Sequence, residues 1–326
     1  MQSNHNTRHA FTILELLAVI VVCLLLIGIL LPALGSSRDH GHGMQSVVAQ
    51  ANLRSLTTGS MNFAADHNDE IFSLTSADQA SDILYRATGG RIPLTQAHQP
   101  ILRLRYSHLV LLDYLTDRQP EPIAASPFDK NLINWQENPV AYLDKKYDFP
   151  YAQGLPTKPG YDMDPIWTDP AIIQLWPFAS SYQVVPHAWL DDTNPQYTPS
   201  PTSPHHMIDT GANTPLGGRK LSQVAHPSSK VFMYEEFERY KDPKKPLYAS
   251  YPRAIINLAF FDGSVRQLAA EDTNSAFDKD NPESVWEQPY LPLDTFPLPS
   301  GGLNDQTKLD LRFRWTKHGL KGIDYQ

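Results

Sequence analysis

The sequence predicts an α+β protein: a long N-terminal helix, transmembrane in its first half and amphipathic in its second, packed on a C-terminal antiparallel β-sheet head with long Pro-rich loops. Three observations lead there. An apolar run from Phe11 to Leu34 holds a single charge, Glu15. Ala49, Leu53, Leu56, Ser60 and Phe63 recur at steps of four, three, four and three, which draws one face of a helix. Two β-rich runs flank Asp262-Gly263, a dipeptide that supplies the positive φ angles of a two-residue hairpin turn.

The apolar run is read from its length. Leu16 to Leu31 carries no charge, and with its flanks the segment 11–34 approaches the roughly 20 residues that cross a bilayer core of about 30 Å. A soluble core helix is rarely apolar on every face. Pro32 stands near the far end, where a kink is tolerated. Glu15 is the exception that matters. An ionisable group well inside a span costs roughly 2.5–3.5 kcal/mol, less near the interface, so a carboxylate placed there has a partner or a job. An ordinary secretory signal, with an apolar stretch of about 7–15 residues, is shorter than this run. Arg8 before the run and Arg38 after it nearly balance, so the positive-inside signal is weak. The short segment before the run and the long one after it favour an outward C-terminus.

HAFTILELLAVIVVCLLLIGILLPAL resembles the processing and membrane segment of type IV pilin-like proteins, including the pseudopilins of type II secretion. The resemblance implies a leader peptide at 1–10, removed by a prepilin peptidase between Ala10 and Phe11, and N-methylation of Phe11. The family prefers Gly where Ala10 stands. Glu15 becomes the fifth residue of the mature chain, and in family filaments this carboxylate neutralises the amino terminus of a neighbouring subunit. Such a pair is attractive in a low-dielectric bundle, while either charge alone is costly, so it sets the register of assembly. Pro32 matches a proline usual in the family. The competing reading is an uncleaved anchor whose Glu15 snorkels to the headgroups.

Residues 35–70 are expected to form a joint and an amphipathic helix. Gly35, Gly41 and Gly43 each weaken a helix by about 1 kcal/mol against alanine. His40 and His42 are too few to make a metal site. An unbroken helix from Phe11 to Phe63 would be about 80 Å long. Asp66-His67-Asn68-Asp69-Glu70 has the oxygen density of a calcium loop but lacks its sixth-position glycine and distant glutamate, and reads as a helix C-terminal turn.

Residues 71–326 are the expected extracytoplasmic head. The chain has 28 prolines in 326 residues, about 9 % against a usual 5 %. Leu109-Val110-Leu111-Leu112 suggests a short buried helix near Tyr106–Leu115. Tyr147, Tyr151, Tyr161, Trp167 and Trp176 punctuate loops, more as anchors onto a core than as a sugar platform. Ser181–Pro186 and Lys230–Glu235 read as strands, and 193–204 as an exposed Pro/Ser/Thr loop. Glu235, Glu236 and Glu238 invite an acid/base reading. Glycoside chemistry needs two carboxylates across a substrate, and adjacent strand residues point to opposite faces, so no catalytic residue is assigned and no enzyme activity is expected. NLAFFDGSVRQL and the tail LRFRWTKHGLKGIDY resemble pieces of the heads of planctomycete-type pilin-like proteins. Asp278, Asp280 and Glu283 form the best oxygen cluster for calcium, which some pseudopilins hold in a C-terminal loop. No other cofactor is expected.

With 27 basic and 35 acidic residues and a formal charge of −8, the chain lacks the basic footprint of a nucleic-acid binder. Its one cysteine, Cys23, lies in the apolar run, so no intrachain disulfide forms. The expected function is a structural subunit of a type IV pilus-like filament or a type II secretion pseudopilus. It would be a single-pass inner-membrane protein with a cytoplasmic N-terminus and its head in the periplasm or at the cell surface. Its partners would be the inner membrane, the prepilin peptidase, and copies of itself or other pilins and pseudopilins. The alternative is a membrane-anchored extracytoplasmic binding module for polysaccharide. An anchored hydrolase, with activity lost on removing one carboxylate, comes third.

Overall fold

A computed structural model describes residues 43–75, 77–90, 106–116, 118–144, 175–190, 216–240, 247–277, 281, 283–285, 287–290 and 307–325. The chain divides into two compact units, 1–46 and 47–326. The second is α+β and is built around a four-stranded antiparallel sheet.

The long two-part N-terminal helix is corrected. The described helix, α1, runs over residues 43–66, and among the described residues no helix is long and apolar enough to cross a membrane. The physical reason is composition: Asn52, Arg54, Thr57 and Thr58 fall within α1. The apolar segment 11–34 lies outside the described residues.

Within 47–66, α1 buries most of the stripe read from the sequence: Ala49, Leu53 and Leu56 are fully buried and Ser60 nearly so, while Phe63 packs on the core half-buried. The buried hydroxyls of Thr57 and Ser60 donate to the carbonyls of Leu53 and Leu56, each at 2.8 Å, which satisfies them without leaving the helix. The helix ends in two left-handed residues, Asn68 and Asp69 (φ 54° and 67°), residue types that tolerate this conformation.

Two further helices, α2 (Ala77–Ala87) and α3 (Lys130–Glu137), and the short α4 (Pro139–Leu143) precede the sheet. The helix expected near Tyr106–Leu115 is a 3-10 helix over Ser107–Tyr114 that buries Leu109 and Leu111. Four consecutive apolar residues give no 3.6-residue stripe, so tertiary packing decides its form. Trp135 and Trp176 meet with ring centroids 4.8 Å apart in a core shared with Leu84, Tyr106, Tyr142 and Phe178. Tyr147, Tyr151, Tyr161, Trp167 and the 193–204 loop lie outside the described residues.

The sheet contains β1 (Tyr182–Val184) and β2 (Val231–Glu235). A two-stranded ribbon of β3 (Phe237–Glu238) and β4 (Leu247–Tyr248) comes next, followed by β5 (Ile255–Phe260) and β6 (Val265–Ala269). The order across the large sheet is β1-β2-β5-β6, all antiparallel. β2 is central and wholly buried, as its near-continuous apolar text requires. β1 is shorter than read from the sequence because Pro186, lacking an N–H, opens a 3-10 turn over Pro186–Ala188.

The Asp-Gly hairpin joins β5 to β6, but its loop differs from the two-residue form. The Phe260 N–H donates to the Ser264 carbonyl and the Gly263 N–H to the Phe260 carbonyl, leaving a three-residue loop. Only Gly263 takes a positive φ, 83°. Asp262 instead accepts the Ser264 N–H at 2.9 Å, an Asx turn that competes with the left-handed conformation.

The last described segment begins with β8 (Thr307–Asp310), which pairs with β7 (Glu287–Tyr290), and then enters the main core. Leu311, Phe313, Trp315 and Leu320 pack with Leu53, Leu56, Phe232 and Ile256. The ring of Phe313 meets Tyr234 edge-on at 5.1 Å. Arg314 is fully buried, donating to the Tyr248 hydroxyl and the Leu311 carbonyl.

Candidate functional site

Two polar constellations stand out among the described residues. The first is inside the head. Glu235, at the end of β2, is fully buried. Its Oε1 accepts from the Ser126 hydroxyl at 2.6 Å, and its Oε2 accepts from Asn257 Nδ2 at 3.0 Å and from the Tyr240 hydroxyl. Arg239 Nη1 lies 4.0 Å from Oε1. Burial pushes the Glu235 carboxyl above the usual range, against the pull of Arg239 and its three donors. Burial and the Glu235 charge push the Tyr240 phenol up as well, which keeps it a donor.

Arg239 links this hub to Asp129 at 2.9 Å. Asp129 Oδ2 also accepts the Ser181 hydroxyl at 2.9 Å, while Oδ1 caps α3 through the Leu132 N–H at 3.2 Å. A single carboxylate thus closes a helix N-terminus and an ion pair. Ser181 Oγ in turn accepts the Ser126 N–H at 3.0 Å. The network ties the 121–129 loop, α3, β1, β2 and β5 together. Every donor on Glu235 is an internal side chain, so the arrangement acts as a strut.

The second constellation lies along the tail. Lys230 and Asp324 form a fully buried ion pair at 2.9 Å. Asp324 also accepts the Val231 N–H at 2.8 Å and the Thr316 hydroxyl. Burial raises the Asp324 carboxyl while Lys230 and these donors oppose the rise. His187 stacks on Trp315 with ring centroids 4.1 Å apart. Burial, with Lys230 and Arg219 nearby, holds its imidazole far below the usual histidine range, so it packs as a neutral ring. Above the pair, the tail opens into a groove of about 320 Å³.

The acidic run after α1 has a structural use. Asp69 accepts the Ser222 N–H at 2.9 Å and Glu70 the Gly218 N–H at 3.1 Å. Hydrogen bonds from Ser222 hold the Asp69 carboxyl below its usual value. Of the sites read from the sequence, Ala10, Phe11, Glu15 and Pro32 lie outside the described residues, as do Asp278 and Asp280. Glu283 is exposed. Among the described residues no three His, Cys, Asp or Glu side chains gather for a metal ion.

Sequence reading missed Ser126, Asp129, Ser181, Arg239, Tyr240 and Asn257. One signal pointed at them: a carboxylate at the end of a strand read as buried must find donors. It also missed the Lys230–Asp324 pair, whose partners stand 94 positions apart in the sequence. Compared with known proteins, the chain matches no family model, no curated protein and no solved structure.

Proposed function

We propose that this chain is a structural subunit of a type IV pilus-like filament or a type II secretion pseudopilus. The observation that carries the reading is Glu15 set four residues after Phe11 at the head of an apolar run. A carboxylate so placed is stable in lipid only when a cation meets it. In this reading a prepilin peptidase cuts between Ala10 and Phe11, and Phe11 is N-methylated. The apolar segment 11–34 holds the chain in the inner membrane with its N-terminus cytoplasmic. Glu15 then pairs with the terminal amine of a neighbouring copy or of a related pilin. The head faces the periplasm or the cell surface and works through contact, without turnover.

The head's build supports this use. A subunit that is extracted and stacked must stay folded without a disulfide, and the chain has only Cys23. Its buried ion pair and carboxylate hub bind distant segments together instead. The test is Glu15→Ala in the native host. The variant is expected to remain in the membrane fraction and to be lost from sheared filaments. Assembly of the variant at the parent's level contradicts the reading.

A further inference from the structure

The groove beside the C-terminal tail has no part in the filament reading. His226, Asn274, Ser275, Lys317, His318 and Lys321 line it. Its volume, about 320 Å³, is that of a small-molecule site and larger than a bare oxyanion needs. Among the described residues two lysines and two histidines line it and no carboxylate does, in a chain whose formal charge is −8. The acid of the same tail, Asp324, is fully buried and committed to Lys230 at 2.9 Å, so it does not compensate the groove's lysines. Among the described residues neither Lys317 nor Lys321 pairs with a carboxylate.

The walls are fixed. A Cβ on Gly322 would stand 2.1 Å from the Lys317 carbonyl oxygen, so the loop that carries both lysines closes only around glycine. Asn274 Nδ2 donates to the Ile323 carbonyl at 2.7 Å, and the Asn274 N–H to the Asp324 carbonyl at 2.8 Å. The Lys317 ammonium sits 5.6 Å from the centre of the Phe277 ring, within cation–π range.

We propose that this groove binds an oxyanion, a carboxylate or sulfate, carried on a sugar-sized polar ligand. Lys317 and Lys321 hold the anion. Ser275 and the Asn274 amide offer hydrogen bonds to its hydroxyls. The inference does not rest on the filament reading and holds equally for an anchored subunit that never polymerises.

The test is calorimetric titration of the purified full chain with glucuronate, glucose and inorganic sulfate. Glucuronate is expected to bind at least about tenfold more tightly than glucose, a factor set by one ion-pair contact, and to weaken as salt rises. Lys317→Ala with Lys321→Ala is expected to lose about tenfold in glucuronate affinity with the unfolding temperature unchanged, since both side chains are exposed. Lys317→Gln with Lys321→Gln repeats the loss while keeping the aliphatic stems. Glucuronate binding no better than glucose, binding that survives both pairs of substitutions, or binding of inorganic sulfate alone overturns the proposal.

Discussion

Glu235 holds the centre of the head because it is a carboxylate where apolar text called for another aliphatic residue. Transfer of such a group from water costs several kcal/mol unless it is met by donors, and Ser126, Asn257 and Tyr240 meet it. Its raised carboxyl pKa has a signed consequence. The folded chain holds that proton more tightly than the unfolded chain. The associated stabilisation is therefore complete below the ordinary glutamate value of about 4.3 and is lost as pH rises through the folded value. Glu235→Gln, which copies the protonated form, removes this dependence. The unfolding temperature of the parent relative to the variant is expected to fall as pH rises from acid toward neutral. A difference that is flat or grows with pH contradicts the assignment. The sequence announced the need for donors at Glu235 and not their identity, because Ser126 is 109 residues away.

At the scale of elements, α1 and the β5–β6 hairpin were legible and the 3-10 segments were not. The stripe Ala49, Leu53, Leu56 and Ser60 is buried because its spacing alone places it on one face. The hairpin was legible in Asp262-Gly263, but its loop length was not. That choice turned on Asp262 accepting the Ser264 N–H, a competition between side chain and backbone that a dipeptide rule does not weigh. The Ser107–Tyr114 segment was ambiguous because a run of apolar residues has no period. The described helix is the amphipathic half alone, 43–66, while the apolar run lies outside the described residues. The contact of α1 with the sheet predicts its own cost. Leu53 is fully buried in the main core, so Leu53→Ala is expected to destabilise the chain by about 2–5 kcal/mol, measured by urea unfolding. A loss under about 0.5 kcal/mol, the range of a surface change, would mean that α1 does not pack as described.

For the whole molecule, the head and the N-terminal segment answer to different physics. The compact unit 47–326, which contains the head, is held by burial, by the Glu235 hub and by the Lys230–Asp324 pair. These depend on long-range pairings, and little of that network could be read in advance. The proposed role of the N-terminal segment rests on one acid in an apolar run, where lipid would leave few alternatives. The two meet in one claim: Glu15 is placed to receive a terminal amine that exists only after the chain is cut. Intact-mass and N-terminal sequencing by mass spectrometry of the native protein test this directly. The account predicts a chain that begins with methylated Phe11. A mature chain that still carries Met1 to Ala10 would contradict it.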